Sequence, residues 1–320
     1  MAATRRGFLG ATLALALDAW PPAAAAGGRV TLSRLQPGVY VARAHNAEAL
    51  RANAGTVVPS LVHVTRAGVL VVDPGPHAAW GNALLGAIRA LTPQPVRWVV
   101  NTHAHPEHVL ANAAFAGLRP RPAFLASAAT AALMRQRCAD CLDRLTAQLG
   151  RAAMRGTAIV LPEPALRAGG WLQTGETAWQ VQVHAPAHSA SDTVLYAPQL
   201  RLLCAGGLAY RERVPEMQEA SLQGWRQALR QLGALPADTV VATAAGTPAQ
   251  TLVPTLAYLD ALADGIGAAL AAGRDASHAV DAVAADAFRQ WRHFQARHPL
   301  NVQRAWRQLE DLWMQGGPPG

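Results

Sequence analysis

The chain has no lysine. All 28 of its basic side chains are arginine, in 320 residues of which 51% are hydrophobic and only 15% charged. These arginines bring the formal net charge to +8, but they are scattered over several segments without a basic stripe or interleaved aromatics. That pattern argues against a nucleic-acid partner. Cysteine is also scarce, and three residues cannot supply the framework of a disulfide-rich secreted scaffold. There is no repeat of the solenoid kind and no low-complexity linker. Beyond the N-terminus no apolar run is long enough to span a bilayer, so no membrane span is expected in the mature chain. This length buries a large core as one big domain or two small ones.

The first 26 residues read as an export signal. Thr4-Arg5-Arg6-Gly7-Phe8-Leu9 is a twin-arginine pattern, followed by the apolar stretch Phe8 to Leu17 and an alanine-rich end suited to cleavage near Ala26. The apolar stretch is too short for a membrane span. The expectation is a periplasmic protein exported by the twin-arginine route, which carries folded chains and allows a metal to be loaded beforehand.

The densest chemistry lies in Thr102-His103-Ala104-His105-Pro106-Glu107-His108, directly after the apolar run Val96 to Val100. Alternate residues at a strand end share a face, so His103 and His105 are placed to grip one cation. Upstream, Leu61 to Thr65 and Val69 to Asp73 read as strands joined at Ala67-Gly68, with Asp73-Pro74-Gly75-Pro76 ending the second. A helix follows from about Trp80 to Leu91, then a strand from Arg97 to Asn101. Strand, helix, strand and a reactive loop at the strand's end are the parts of an α/β layered domain.

Downstream, Ser127 starts and Gly150 stops a helical pattern over Ala128 to Leu149. Cys138 and Cys141 lie in it three residues apart, on one face, and a local disulfide is the first expectation; buried thiols, a redox pair and a second zinc site are the others. Cys204, in the strand-like Leu200 to Ala205, reads as a buried free thiol. Further strands are expected at Ala178 to His184, at Val194 to Ala197 paired with Leu200 to Cys204, and at Thr239 to Thr243. From residue 250 the pattern turns helical: Leu252 to Ala272, Ala276 to Arg292 and Asn301 to Met314, with a frayed tail from Gly316.

Val71-Val72-Asp73-Pro74-Gly75, the histidine motif, Ala187-His188 with Asp192 four residues on, and Ala205-Gly206-Gly207 together resemble the metallo-β-lactamase-fold hydrolases, in family order and spacing. The resemblance implies an αββα four-layer sandwich over residues 27–249, with the metals at one edge between the sheets and extra C-terminal helices, 250–315, packed on the same domain. Within that superfamily the chain looks most like the periplasmic, quinoprotein-associated relay-system metallohydrolases. Arg137-Cys138-Ala139-Asp140-Cys141-Leu142 and His298-Pro299-Leu300-Asn301 carry that narrower likeness.

Residue by residue, the resemblance implies a first zinc held by His103, His105 and His188. Three neutral imidazoles and a water make an open tetrahedral site that lowers the water's pKa to about 7. It implies that Asp73 orients the site, the alternative being a turn carboxylate that caps loop amides. The second metal site departs from the family. Glu107 stands at its aspartate position, Gly207 where a bridging aspartate is usual and Ala245 where the last histidine ligand would be; Ala111 replaces a glycine of the metal-binding turn. Two dications about 3.5 to 4 Å apart repel strongly without a bridging carboxylate, so one zinc is expected. Glu107 is then a candidate general base or a hydrogen-bond partner of a ligating histidine, and His108 a candidate donor to a substrate oxygen. His77 is a candidate to rescue a second site.

Two functions follow. One is a mono-zinc hydrolase acting on a small ester, thioester, lactone or amide. The other is a catalytically degraded zinc-binding accessory of a periplasmic quinoprotein dehydrogenase or sulfur-oxidation system. An iron dioxygenase on this fold lacks its carboxylate ligand at Gly207, and a lactamase lacks the metal that stabilises the leaving amine.

Overall fold

The structure is a computed structural model that describes residues 30–316 except Ala284; the expected export signal lies outside them, as does the tail beyond Gly316. The first sheet contains β1 (Leu32–Gln36), β2 (Val39–Ala42), β3 (Ser60–Thr65), β4 (Gly68–Val72), β5 (Val96–Val100), β6 (Ala123–Ser127) and β7 (Glu163–Leu166), side by side in chain order. It is antiparallel from β1 to β4 and parallel from β4 to β7. The second contains β8 (Trp171–Thr174), β9 (Thr177–His184), β10 (Asp192–Ala197), β11 (Leu202–Cys204), β12 (Thr239–Val241) and β13 (Ala245–Gly246), again adjacent in order.

Helices cover both outer faces: α1 (Ala78–Leu91), α2 (Pro106–Val109), α3 (Asn112–Phe115), α4 (Ala128–Leu149), α5 (Leu222–Gly233), α6 (Leu252–Ala271), α7 (Ala279–Ala282) and α8 (Phe294–Met314). Between the sheets, Val41, Leu61, Leu70, Val72 and Val100 meet Trp179, Val181, Leu195 and Leu202. On the far side of the first sheet, Val69, Val71 and Val99 pack on Leu84, Ile88 and Phe115 of α1 and α3. On the far side of the second, Val194, Leu203 and Val240 pack on Trp225, Leu259, Leu262 and Trp306 of α5, α6 and α8. This is the αββα sandwich that the resemblance implied, with C-terminal helices added to the second sheet. None of the helices in the described residues is long and apolar enough to cross a membrane.

Strand β9 shows why a half-buried strand is legible: Thr177, Trp179 and Val181 are buried, alternating with partly exposed neighbours. Helix α4 runs from Ala128 to Leu149 as expected, with the Ser127 hydroxyl accepting from the Thr130 amide at its start and Gly150 closing its end.

Three expectations need correction. Cys138 and Cys141 are buried free thiols, not a disulfide. Along a regular helix the Cβ atoms of residues three apart are about 5 to 6 Å apart, whereas a disulfide needs about 3.5 to 4.5 Å. The helix expected over Ala276 to Arg292 is instead a 3-10 turn at Ala276–His278, the short α7 and another 3-10 turn at Asp286–Phe288. Ala279, Val283, Ala285 and Phe288 each reach the same core through these bends, so tertiary packing overrides helix propensity. Helix α8 starts at Phe294, seven residues before the expected start, with Pro299 inside it. His298 and Asn301 flank that proline and anchor it, since both meet the Tyr258 hydroxyl at 3.1 Å and Asn301 Nδ2 donates to the Pro215 carbonyl at 2.7 Å. The His298–Asn301 motif is therefore a packing device in this fold.

Candidate metal centre

Strands β4 and β5 run parallel and end together, so the turns that follow them are neighbours. Asp73 follows β4 in the left-handed region, at φ +52°. Backbone strain of this kind persists where the surroundings over-determine it. Here the Asp73 amide donates to the Val100 carbonyl, and Asp73 Oδ1 accepts from the Thr102 amide at 2.9 Å. The turns are tied twice more, Gly75 N to His108 O and Ala111 N to Gly75 O. On the other sheet, Thr193 N at the start of β10 donates to the Thr102 carbonyl, which brings the β9–β10 connection and its His188 against the same edge.

Four imidazoles converge there. Ring centroids are 4.6 Å apart for His103 and His105, 5.2 Å for His103 and His188, and 5.0 Å for His105 and His188. His103, His105 and His188 each offer a ring nitrogen within 4.8 Å of the other two, and His188 Nε2 sits 3.4 Å from His105 Nδ1. His103 and His188 are buried, while His105 is partly open to a cleft.

A hydrogen-bond relay determines which nitrogen of His103 is free. The Thr102 hydroxyl donates to Asp73 Oδ2 at 2.7 Å, so its oxygen can only accept from His103 Nδ1–H, at 2.9 Å. His103 Nε2 is left with its lone pair, fully buried and without a hydrogen-bond partner. A buried unpartnered nitrogen is costly unless something binds it, and a cation shared with His105 and His188 would answer that cost. Burial, and then the neighbouring histidines, push the His103 pKa well below the ordinary imidazole value; the same causes, with Arg213 added, act on His188. Both rings are thereby held neutral, the form that ligates a metal.

His108 is built differently. Burial alone would lower its pKa, but its Nδ1 lies 2.8 Å from Asp73 Oδ2 and the carboxylate raises it overall. Asp73 is thus tied to His103 through Thr102 and to His108 directly. Glu107 turns its carboxylate towards the site, 3.9 Å from His105 Nδ1. Asp192 closes the His188 loop by accepting from the Ser189 amide and hydroxyl at 2.8 and 3.0 Å. Its burial raises its pKa to about 6 against those hydrogen bonds.

His77 cannot complete a second metal site. Its Nδ1 accepts from the Trp80 amide at 3.1 Å as the cap of α1, and its Nε2 donates to the Ala54 carbonyl at 2.9 Å, so both nitrogens are in use. Gly207 is more than a missing ligand. A Cβ built there would lie 2.3 Å from His188 Cδ2 and 2.7 Å from His188 Nε2, so the His188 ring fills the space that a side chain at 207 would need.

His105, His108 and His188 line a cleft of about 270 Å³. Its walls include residues that no motif in the sequence marked: Glu48 and Arg297, which form an ion pair, together with Tyr210 and Arg213. They come from three distant segments, and only the fold brings them together. Beneath the site Trp225 packs edge-on to His188 at 5.0 Å and donates from Nε1 to the Leu208 carbonyl at 2.8 Å.

Comparison with known proteins gives one family. The sequence profile of the metallo-beta-lactamase superfamily matches residues 53–244. A search of curated proteins gives no match. Among solved structures, the chain is similar to a metallo-beta-lactamase from Pontibacter korlensis, with a TM-score of 0.58 and 22% identity over 72% of this chain and 99% of that one. It is also similar to a metallo-beta-lactamase from Hirschia baltica, with a TM-score of 0.56 and 15% identity over 72% of this chain and 98% of that one. A third is the metallo-beta-lactamase FIM-1 from Pseudomonas aeruginosa in a mono-zinc form, at 0.56 and 16% over 72% and 95%. At these identities the structural likeness shows the fold.

Proposed function

The chain belongs to the metallo-β-lactamase superfamily, and on that premise we propose that it is an exported, periplasmic mono-zinc hydrolase of a small ester, thioester, lactone or amide. The observation that carries the reading is the buried, neutral and unpartnered His103 Nε2, with ring nitrogens of His105 and His188 beside it. These three residues would hold the ion. When bound, zinc supplies Lewis-acid activation of a water at neutral pH.

The remaining groups are this chain's own contribution. Thr102 and Asp73 fix the tautomer and direction of His103. Glu107, partly exposed at the cleft, is placed to take the proton from the attacking water, and His108 keeps its second ring nitrogen for a substrate oxygen. Apolar packing from Trp225 and Tyr210 behind His188 limits water on that side. We propose a single ion because Gly207 and Ala245 offer no ligand atoms and His77 is already bonded on both nitrogens. The twin-arginine pattern and the sequence likeness to quinoprotein-associated relay metallohydrolases support a periplasmic location, with a quinoprotein dehydrogenase system as a further proposed partner.

Gly207 also favours a second reading, a catalytically inert zinc-binding accessory of the same periplasmic system or of a sulfur-oxidation system. A panel of ester, thioester, lactone and amide substrates with the zinc-loaded protein separates the two. The hydrolase reading expects turnover that falls at least about 100-fold in Glu107→Gln and is lost in His188→Ala. Turnover absent at full zinc occupancy overturns it and leaves the accessory.

A further inference from the structure

The motif Arg137-Cys138-Ala139-Asp140-Cys141-Leu142 has no task in the histidine chemistry. Helix α4 carries its two cysteines as buried free thiols, but the fold gives them different surroundings. Cys141 lines the histidine cleft, and it also lines a second cavity of about 40 Å³ that shares His105, Pro106 and Arg144 with the first. Cys138 lines neither cavity and packs among Ala104, Val109 and Leu145. Cys204 lines neither and lies between the sheets with Leu125 and Val241.

A guanidinium reaches only one of these sulfurs among the described residues. Arg144 Nη2 donates to Cys141 Sγ at 3.2 Å, and the Arg144 side chain is itself exposed. Cys141 is 4% exposed, so an incoming molecule meets its sulfur through the two cavities, where Arg144 swings aside. A sulfur beside a basic group and open to a cleft is the setting of thiols that react, whereas a thiol in apolar packing is inert. Burial pushes the Cys138 thiol up to about 11 and pushes the Cys204 thiol up as well. The cleft also keeps an unmet donor for an occupant: Arg213, another of its walls, is buried with Nε unpartnered.

We propose that Cys141 is a thiolation site, which takes one thiol group from a low-molecular-mass disulfide so that the adduct closes the cleft to the histidines. The Cys141 thiolate attacks one sulfur of the disulfide, and the new Sγ–S bond forms as the S–S bond breaks. The outgoing sulfur leaves as a thiolate with the electron pair and takes up the proton that Cys141 gave to water. Cys141 is thereby oxidised and the outgoing sulfur reduced. Cys138 does not displace the group, because Cβ atoms three residues apart on a helix are too far apart for a disulfide. The inference rests on the reading of this cleft as the approach to the metal, but not on turnover.

The test is intact-mass spectrometry and peptide mapping of the zinc-loaded protein after incubation with hydroxyethyl disulfide. The wild type gains one hydroxyethylthio group, on Cys141; Cys138→Ser still gains one, Cys141→Ser gains none, and Arg144→Gln gains it about threefold more slowly. Calorimetry with acetohydroxamate, a zinc chelator, reads the closure: the thiolated protein binds it at least about tenfold more weakly than the reduced protein, and dithiothreitol restores the binding. Circular dichroism reports folding, and if Cys141→Ser does not fold, the mapped adduct in the wild type and in Cys138→Ser decides. An adduct on Cys138 or Cys204, a folded wild type that takes none, an internal Cys138–Cys141 disulfide, or acetohydroxamate binding unchanged by thiolation overturns the proposal. Thiolation and closure in a protein that hydrolyses nothing keep this inference and lose the hydrolase; hydrolysis by a protein that resists thiolation does the reverse.

Discussion

A single hydroxyl determines which nitrogen of His103 is available. Because Thr102 donates to Asp73 and accepts from His103, Thr102→Val would cut the relay while leaving every ligand in place. Loss of such an orienting group typically weakens metal affinity about 10- to 100-fold. Competition with a chromophoric chelator reads that shift, and an unchanged affinity would remove the relay from the account. Gly207 makes the opposite point about absence. Gly207→Asp restores a carboxylate type that the sequence lacks, but its Cβ collides with His188, so the variant should bind less than one zinc and lose about 1 to 3 kcal/mol of stability. Elemental analysis showing two zincs in this variant would prove that the space had only been vacated. The residues His103, His105 and His188 were legible in the sequence because their spacing follows from strand ends and the family pattern. Arg213, Glu48 and Arg297 were not, since a lone arginine in a loop has no period and becomes informative only when its partners are known.

The elements differ in how much of themselves they announce. Helix α4 has its cap serine, its terminal glycine and an apolar stripe, and its ends were readable to the residue. The short strands β1, β2, β6, β7, β8 and β13 went unread; runs as short as Glu163–Leu166 carry too few turns of a period to stand out. Strand β3 contains an element-scale prediction. His63 lies within it, buried and edge-on to Trp179 at 5.5 Å, and burial lowers its pKa to about 4. In the unfolded chain this histidine takes up a proton near pH 6.5, in the folded chain not until about pH 4. The unfolded state therefore binds more protons between those values, and stability falls as the pH drops through that window, by on the order of 3 kcal/mol when both steps are complete. Urea titrations of wild type and His63→Phe at pH 7.5 and 4.5 should show the smaller acid loss in the variant; identical slopes would mean that the strand tolerates a charged His63.

At the scale of the molecule, two sheets bring β4, β5 and the β9–β10 connection to one edge, and helices added to the second sheet complete the cleft from outside the family's matched region, residues 53–244. Arg297 comes from α8, and the segment carrying Arg213 is bridged to Arg292, so the C-terminal helices serve the site as well as the core. That contribution was not visible in the sequence, where the same stretch reads only as helix. All of this architecture converges on three imidazoles placed to hold the one cation proposed above. The most direct test is zinc titration of the purified, metal-stripped protein by calorimetry, with elemental analysis of the product. One tight equivalent is expected in the wild type and none in His103→Ala; two equivalents, a folded wild type that takes up none, or one retained without His103 would overturn the single-ion site.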